Sequence, residues 1–138
     1  MLLDTNVLSE AYRDVPDDGV LAFLAGLDMD QTFTSVVVMG ELRFGAVMLA
    51  PGRRRSQMEE WIEGVRAQFA GRILPVDEAV AARWADLRVA VRAVGRDLGT
   101  ADGLIAATAL MYGLPVATRN VRHFRPTGVE IVDPWEKN

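Results

Sequence analysis

Short strand-like segments alternate with helical segments along this chain, and this alternation restricts its fold more than any other feature. The five strand-like segments are Met1–Leu3, Gln31–Val36, Arg72–Val76, Leu114–Thr118 and Val129–Val132. Longer stretches with apolar residues at helical spacing separate them. This order predicts an α/β protein with a five-stranded parallel sheet flanked by helices on both faces, as three layers. Sheets of this kind bind ligands beyond the carboxyl ends of their strands.

Polar residues that favour helix starts mark where most of the helices are expected to begin. The predicted caps are Asn6 for a short helix through Tyr12, then Asp17 or Asp18, Ser35, Asp77 and Thr100. Pro51 and Gly52 are expected to separate two further helices. The segment from Arg119 to Gly128 has no helical periodicity, so we predict a loop there.

The composition narrows the chemistry that the chain can perform. Its 138 residues predict a single domain, spanning 1–138. With no cysteine and only His123 as histidine, the chain cannot form a disulfide, a thiolate zinc site or a histidine pair. Its 19 acidic residues exceed its 15 basic residues, so carboxylates are the groups left for catalysis. Neither a secretory signal nor a membrane span is recognised, so we expect a cytoplasmic protein without a membrane partner.

Three of the carboxylates fall where a parallel sheet places its ligand site. Asp4 follows the first strand, Glu41 lies two turns into the helix after the second, and Asp102 lies in the first turn of a later helix. Each of them also has an ordinary structural explanation. Asp4 can cap or turn the chain, Glu41 can be a solvated helix residue, and Asp102 can interact favourably with the helix dipole. Taken together, they favour a hard-cation site, because clustered carboxylates repel unless a cation balances them. We therefore predict that Asp4, Glu41 and Asp102 bind Mg²⁺ or Mn²⁺.

Four motifs resemble those of PIN-domain proteins, in the order and spacing of that family. They are DTNVLSE from Asp4, GEL from Gly40, DGLIAATAL from Asp102 and GLPVATRN from Gly113. The ending GVEIVDPW, from Gly128, is similar to the tail of the VapC toxins, especially their FitB-like branch. The resemblance covers essentially the whole chain.

The resemblance implies a Mg²⁺- or Mn²⁺-dependent endoribonuclease that is the toxin of a type II toxin–antitoxin pair. By motif position, Asp4, Glu41 and Asp102 are the metal-binding catalytic acids, with Thr5 and Thr118 as polar neighbours that contact substrate. The implied partners are RNA, a cognate VapB-like antitoxin and a second copy of the chain in a homodimer. A hetero-oligomer with the antitoxin is also implied, and operator DNA would be contacted only through the antitoxin.

One position departs from the family pattern. Many PIN domains carry a fourth acid after the fourth strand, where this chain has Asn120. Asparagine can offer a carbonyl oxygen to a metal but adds no negative charge. We therefore expect one metal ion, with Asn120 as a weak contributor and any second ion recruited by the RNA. Arg119, Arg122 and Arg125 are expected to contact backbone phosphates, and His123 is expected to be a surface residue.

Two other functions stay open at this point. A phosphatase of similar architecture would use Asp4 as its nucleophile, although the aspartate usual two residues later is Asn6 here. Alternatively, the chain is a PIN-like binding module whose weakened site acts only in a regulatory toxin–antitoxin complex.

Overall fold

The computed structural model describes residues 1–137 and confirms the alternation of strands with helices. The strands are β1 (Leu2–Leu3), β2 (Thr34–Ser35), β3 (Ile73–Leu74), β4 (Val116–Ala117) and β5 (Ile131–Val132). The helices are α1 (Thr5–Glu10), α2 (Asp18–Ala25), α3 (Val36–Val47), α4 (Arg53–Gln68), α5 (Glu78–Ala93), α6 (Thr100–Met111) and α7 (Val121–Phe124). Short 3₁₀ turns cover Met29–Gln31 and Arg125–Thr127.

All of the strand pairs are parallel, but they form two small sheets. One sheet has the order β1-β4-β5, and the other pairs β2 with β3. A single parallel bridge between Leu2 and Phe33 connects them. The α/β class and the parallel pairing are therefore confirmed, whereas the expected continuous five-stranded sheet is met only in part. Each regular strand has two residues, too few for a long ladder between β1 and β2.

The neighbouring strands β1 and β4 are buried on both sides. Neighbouring residues of a strand point to opposite faces of the sheet, and Leu2 and Leu3 are both fully or almost fully buried. The same holds for Val116 and Ala117 of β4. Such continuous burial is typical of parallel sheets that helices cover. The core therefore surrounds β1 and β4, and the polar residues after these strands lie at its edge.

Three of the predicted helix caps are confirmed by side-chain hydrogen bonds. The Asp17 carboxylate accepts from the Val20 amide, and the Asp77 carboxylate accepts from the Val80 amide. The Ser35 hydroxyl accepts from the amide two residues later. These caps depend on local sequence alone, which explains why they could be predicted.

Two helix starts were predicted wrongly by one or two residues. Asp4, not Asn6, caps α1, because its carboxylate accepts from the adjacent Thr5 amide. Gly99, not Thr100, precedes the first residue of α6. The predicted loop from Arg119 to Gly128 is also wrong, since it contains α7 and a 3₁₀ turn. A helix of four residues is too short to show a periodic pattern. In the described part of the chain, no helix has the length and apolar content needed to cross a membrane.

Candidate metal centre

Asp4 lies at the point where two neighbouring strands end. It follows β1 directly, and Thr118 follows β4, which pairs with β1. The Thr118 hydroxyl donates to Asp4 Oδ2 at 2.7 Å, and the Thr5 amide donates to Asp4 Oδ1 at 2.8 Å. Asp4 and Thr118 are 2% and 0% exposed. The fold thus fixes both carboxylate oxygens at the sheet edge, and Thr118 lies where it was expected.

The position of Asp4 is electrostatically unfavourable for its charge. Burial raises the pKa of Asp4 to about 6, although the hydrogen bonds from Thr118 and Thr5 lower it. The negative charges of Asp102 and Glu41 raise this pKa further. The three predicted acids are therefore close enough for their charges to interact. A group with a strongly perturbed pKa at a sheet edge is a candidate for a functional site.

Glu41 and Asp102 are each held by another polar side chain. The Thr5 hydroxyl donates to Glu41 Oε1 at 2.6 Å, which links α1 to α3. His123 Nδ1 lies 3.3 Å from Asp102 Oδ2, which links α7 to α6. The side chain of Asp102 is 21% exposed, and that of His123 is 64% exposed. His123 is thus at the surface, as expected, but its contact with a predicted metal ligand was not anticipated.

An amide network surrounds Asp4 on the side of β4. The Asn6 amide donates weakly to Asp4 Oδ2 and to the Thr118 hydroxyl, both at 3.4 Å. The side-chain carbonyl oxygen of Asn6 accepts from the Arg119 backbone amide at 3.2 Å, and the Asn120 backbone amide donates to the Thr118 hydroxyl at 3.0 Å. Asn6 is therefore a site residue that the sequence reasoning missed. Its place two residues after Asp4, in the first motif, was the available signal.

The arginines predicted to contact phosphate are spread around this edge. Arg119 and Arg122 are both exposed. The Arg119 guanidinium lies 5.2 Å from the centre of the Trp135 ring, in a cation–π arrangement. Arg122 lies in α7, next to His123. The structure thus brings the two arginines to the same end of the sheet, without direct contact to the three acids.

The acidic side chains have the chemistry that a hard divalent cation prefers, but their orientation in the structure does not form a complete site. Within residues 1–137, no three His, Asp or Glu side chains are close enough, as they are oriented, to hold an ion together. Two contacts account for the orientation of the outer acids: Glu41 accepts a hydrogen bond from Thr5, and Asp102 faces His123. A buried carboxylate whose neighbours raise its pKa gains most from a cation. The donor set consists of oxygen atoms, which suits Mg²⁺ or Mn²⁺.

A parallel α/β fold with polar side chains beyond its strand ends defines a class of proteins that place their ligand site at that edge. Comparison with known proteins identifies the family: the PIN domain model matches residues 1–129. The chain therefore belongs to the PIN domain family.

The relatives narrow the place of the chain within this family. It is 40% identical over 136 residues to toxin FitB of Neisseria gonorrhoeae, and the match covers 98% of each chain. It is also 39% identical over 137 residues to VapC ribonuclease Y4jK of Sinorhizobium fredii, and this match covers 99% of this chain and 98% of the relative. The resemblance to the VapC toxins and their FitB-like branch is confirmed.

Solved structures agree with these sequence relatives. The crystal structure of FitAcB from Neisseria gonorrhoeae matches with a TM-score of 0.94 and 40% identity, over 99% of each chain. A structure of FitAB bound to an IR36 DNA fragment also matches with a TM-score of 0.94, at 38% identity over 99% of this chain and 96% of the other.

Proposed function

We propose that this protein is a metal-dependent endoribonuclease, the toxin of a type II toxin–antitoxin pair. The observation that carries the proposal is the buried Asp4 carboxylate, held at the sheet edge within range of the charges of Glu41 and Asp102. Full-length relatives named VapC ribonuclease and toxin FitB support the activity and the biological role. Membership of the PIN domain family favours this function over the phosphatase alternative.

Asp4, Asp102 and Glu41 are the residues that would hold the metal ion. Bound Mg²⁺ or Mn²⁺ supplies positive charge to the scissile phosphate and lowers the pKa of a bound water. Asp4 acts as the fixed ligand, because Thr5 and Thr118 hold both of its oxygens. Glu41 would bind the ion or accept a hydrogen bond from the water that attacks the phosphate in line. Asn120 adds no negative charge, which supports one resident ion.

Polar groups near the acids are proposed to position the RNA. Thr5 and Thr118 orient the acids, because the Thr5 hydroxyl donates to Glu41 and the Thr118 hydroxyl donates to Asp4. Arg119 and Arg122 contact backbone phosphates, since the planar guanidinium group donates two parallel hydrogen bonds. A single-stranded or looped RNA is the proposed substrate, because its unstacked bases can enter a narrow site.

The proposed partners follow from the named relatives. A VapB-like antitoxin would bind and neutralise the toxin, and operator DNA would be contacted through that antitoxin. A FitAB complex bound to DNA supports this assignment. We also propose a homodimer and a cytoplasmic location, where RNA and antitoxin are both present.

The test is RNA cleavage by matched single variants. We expect wild type to cleave single-stranded RNA with Mg²⁺ or Mn²⁺ and to lose activity in EDTA. Asp4→Asn, Asp102→Asn and Glu41→Gln should each reduce kcat at least about 100-fold, as expected for loss of a charge that stabilises the transition state. Asp86→Asn removes an exposed acid of α5 and should keep full activity.

Each failure has a distinct meaning. Unchanged cleavage by Asp4→Asn and Asp102→Asn would refute the assignment of the catalytic acids. If wild type binds its antitoxin but never cleaves RNA or arrests growth, the catalytically weak binding module is correct instead.

A further inference from the structure

Two neighbouring hollows lie along α7. The first, of about 510 Å³, is lined by Val94, Arg96, Val121, Arg122, Arg125 and Pro126. The second is lined by Gly95, Arg96, Asp97, Arg122 and His123. Since Arg96 and Arg122 line both hollows, the two form one continuous surface, which we call the arginine groove. It joins the turn after α5 to α7 and the 3₁₀ turn that follows.

The groove carries three arginines and one acid, Asp97, so its net charge is positive. Arg96, Arg122 and Arg125 are exposed, and no described residue pairs any of them in a salt bridge. Several other arginines do have a carboxylate partner, for example Arg43 and Arg55 with Glu59. The whole chain carries a formal charge of −4. Three unpaired guanidinium groups on one surface of an acidic protein repel each other and attract a polyanion.

The groove reaches the candidate metal centre through His123. His123 lines the second hollow, and its Nδ1 lies 3.3 Å from Asp102 Oδ2. A strand whose scissile phosphate lies at the acids therefore has a direct route over His123 into the groove. The walls also carry apolar surface, from Val94, which is 67% exposed, and from Pro126. Such surface can contact an unstacked base, while the arginines contact phosphates.

We propose that the arginine groove binds the RNA backbone on one side of the scissile phosphate, where Arg96 adds a phosphate contact to those expected of Arg122 and Arg125. This inference rests on the proposed function, because the continuity with the acids selects RNA over other polyanions. An acidic segment of a partner protein is the competing occupant. The groove thus sets how tightly the substrate binds rather than how fast the bond breaks.

The experiment compares the double variant Arg96→Ala/Arg125→Ala with wild type and with Arg83→Ala. Arg83 is an exposed arginine of α5 without an ion pair, about 15 Å along the helix from its carboxyl end. Both sites are at the surface, and thermal unfolding checks that each variant folds. Two quantities are measured on a single-stranded RNA oligonucleotide: steady-state cleavage, and metal-free binding by fluorescence anisotropy at several salt concentrations.

We expect the double variant to raise KM about tenfold with kcat within about twofold of wild type, as for loss of charged phosphate contacts. The slope of log K against log salt should fall by about 1.4, since each single-strand contact adds about 0.7. Arg83→Ala should change neither quantity. Equal KM and equal salt slope for the double variant and Arg83→Ala would overturn the proposal.

Two further outcomes separate this proposal from others. If the variant loses affinity for the antitoxin while RNA binding is unchanged, the groove serves a protein partner and the proposal is wrong. If wild type cleaves no RNA with any metal, the proposed function fails. In that case, a salt slope that still differs between the double variant and Arg83→Ala supports RNA binding by the groove.

Discussion

Replacing Gly103 with alanine should destabilise the protein, although alanine is the better helix former. Gly103 is buried in α6, next to Asp102. A Cβ atom at this position would lie 2.7 Å from Trp84 Cδ1, 2.8 Å from Trp84 Nε1 and 3.0 Å from Leu98 Cδ2. Relief of these contacts requires the rigid Trp84 indole to shift, which also moves the ring away from its place under the Arg88 guanidinium at 5.5 Å. The close approach of α5 to α6 therefore depends on this glycine.

A matched glycine isolates the cost of that contact. Gly64 is an exposed residue of α4, and a Cβ added there meets nothing within 4 Å. Gly64→Ala should raise the free energy of unfolding by about 0.5–1 kcal/mol, the helix preference alone. Gly103→Ala has the same gain but adds an overpacking cost of about 1–3 kcal/mol. The difference between the two variants is thus about 1–3 kcal/mol.

Urea unfolding with linear extrapolation measures both free energies on the metal-free protein. Gly103→Ala should be less stable than Gly64→Ala by the stated difference, with a similar m-value. RNA cleavage should also fall in Gly103→Ala, because a shift of α6 moves Asp102, and a misplacement of about 1 Å can cost about 100-fold. If Gly103→Ala is as stable as Gly64→Ala, the argument from close packing of α5 and α6 is refuted.

Three further predictions concern the buried carboxylates. Folding raises the pKa of Asp4 from 3.8 to about 6. The contribution of the Asp4 carboxyl group to the free energy of unfolding is therefore fully present below about pH 4 and is lost as pH rises through 6. Asp4→Asn should therefore stabilise metal-free protein at pH 7.5, by at most about 3 kcal/mol, and not at pH 4; equal effects at both pH values would contradict this. Mn²⁺ at 100 times its Kd should stabilise wild type by about 2.7 kcal/mol in thermal unfolding and leave Asp4→Asn unchanged, whereas an equal shift in both would place the ion elsewhere. Glu10 is 4% exposed and accepts from the Asp17 amide at 3.0 Å, so Glu10→Ala should cost about 1–3 kcal/mol in urea unfolding and Glu10→Gln clearly less.

The parts of the fold that could be predicted are those that depend on local sequence. The caps Asp17, Ser35 and Asp77 act on amides two or three residues away, so a short window contains the whole interaction. The first cap was misplaced because Asp4 both ends β1 and begins α1, leaving no linker between them. Asn6 looks like a cap in isolation, but its side chain bonds across the sheet edge to Thr118.

In the candidate site, too, some features could be predicted from the sequence and others could not. The order of the strands predicts which acids come to the sheet edge. Asp4 comes directly after β1, Thr118 comes directly after β4, and these two strands pair. The contacts that hold Glu41 and Asp102 could not be predicted from the sequence. Thr5 lies 36 residues from Glu41, and His123 lies in a helix that is too short to show a sequence period. These two contacts turn Glu41 toward Thr5 and Asp102 toward His123, while two hydrogen bonds fix Asp4. Since no three described acids are oriented to hold an ion together, the proposed cation binding would turn Glu41 and Asp102 toward Asp4. Loss of Asp4 should consequently weaken metal binding more than loss of either other acid.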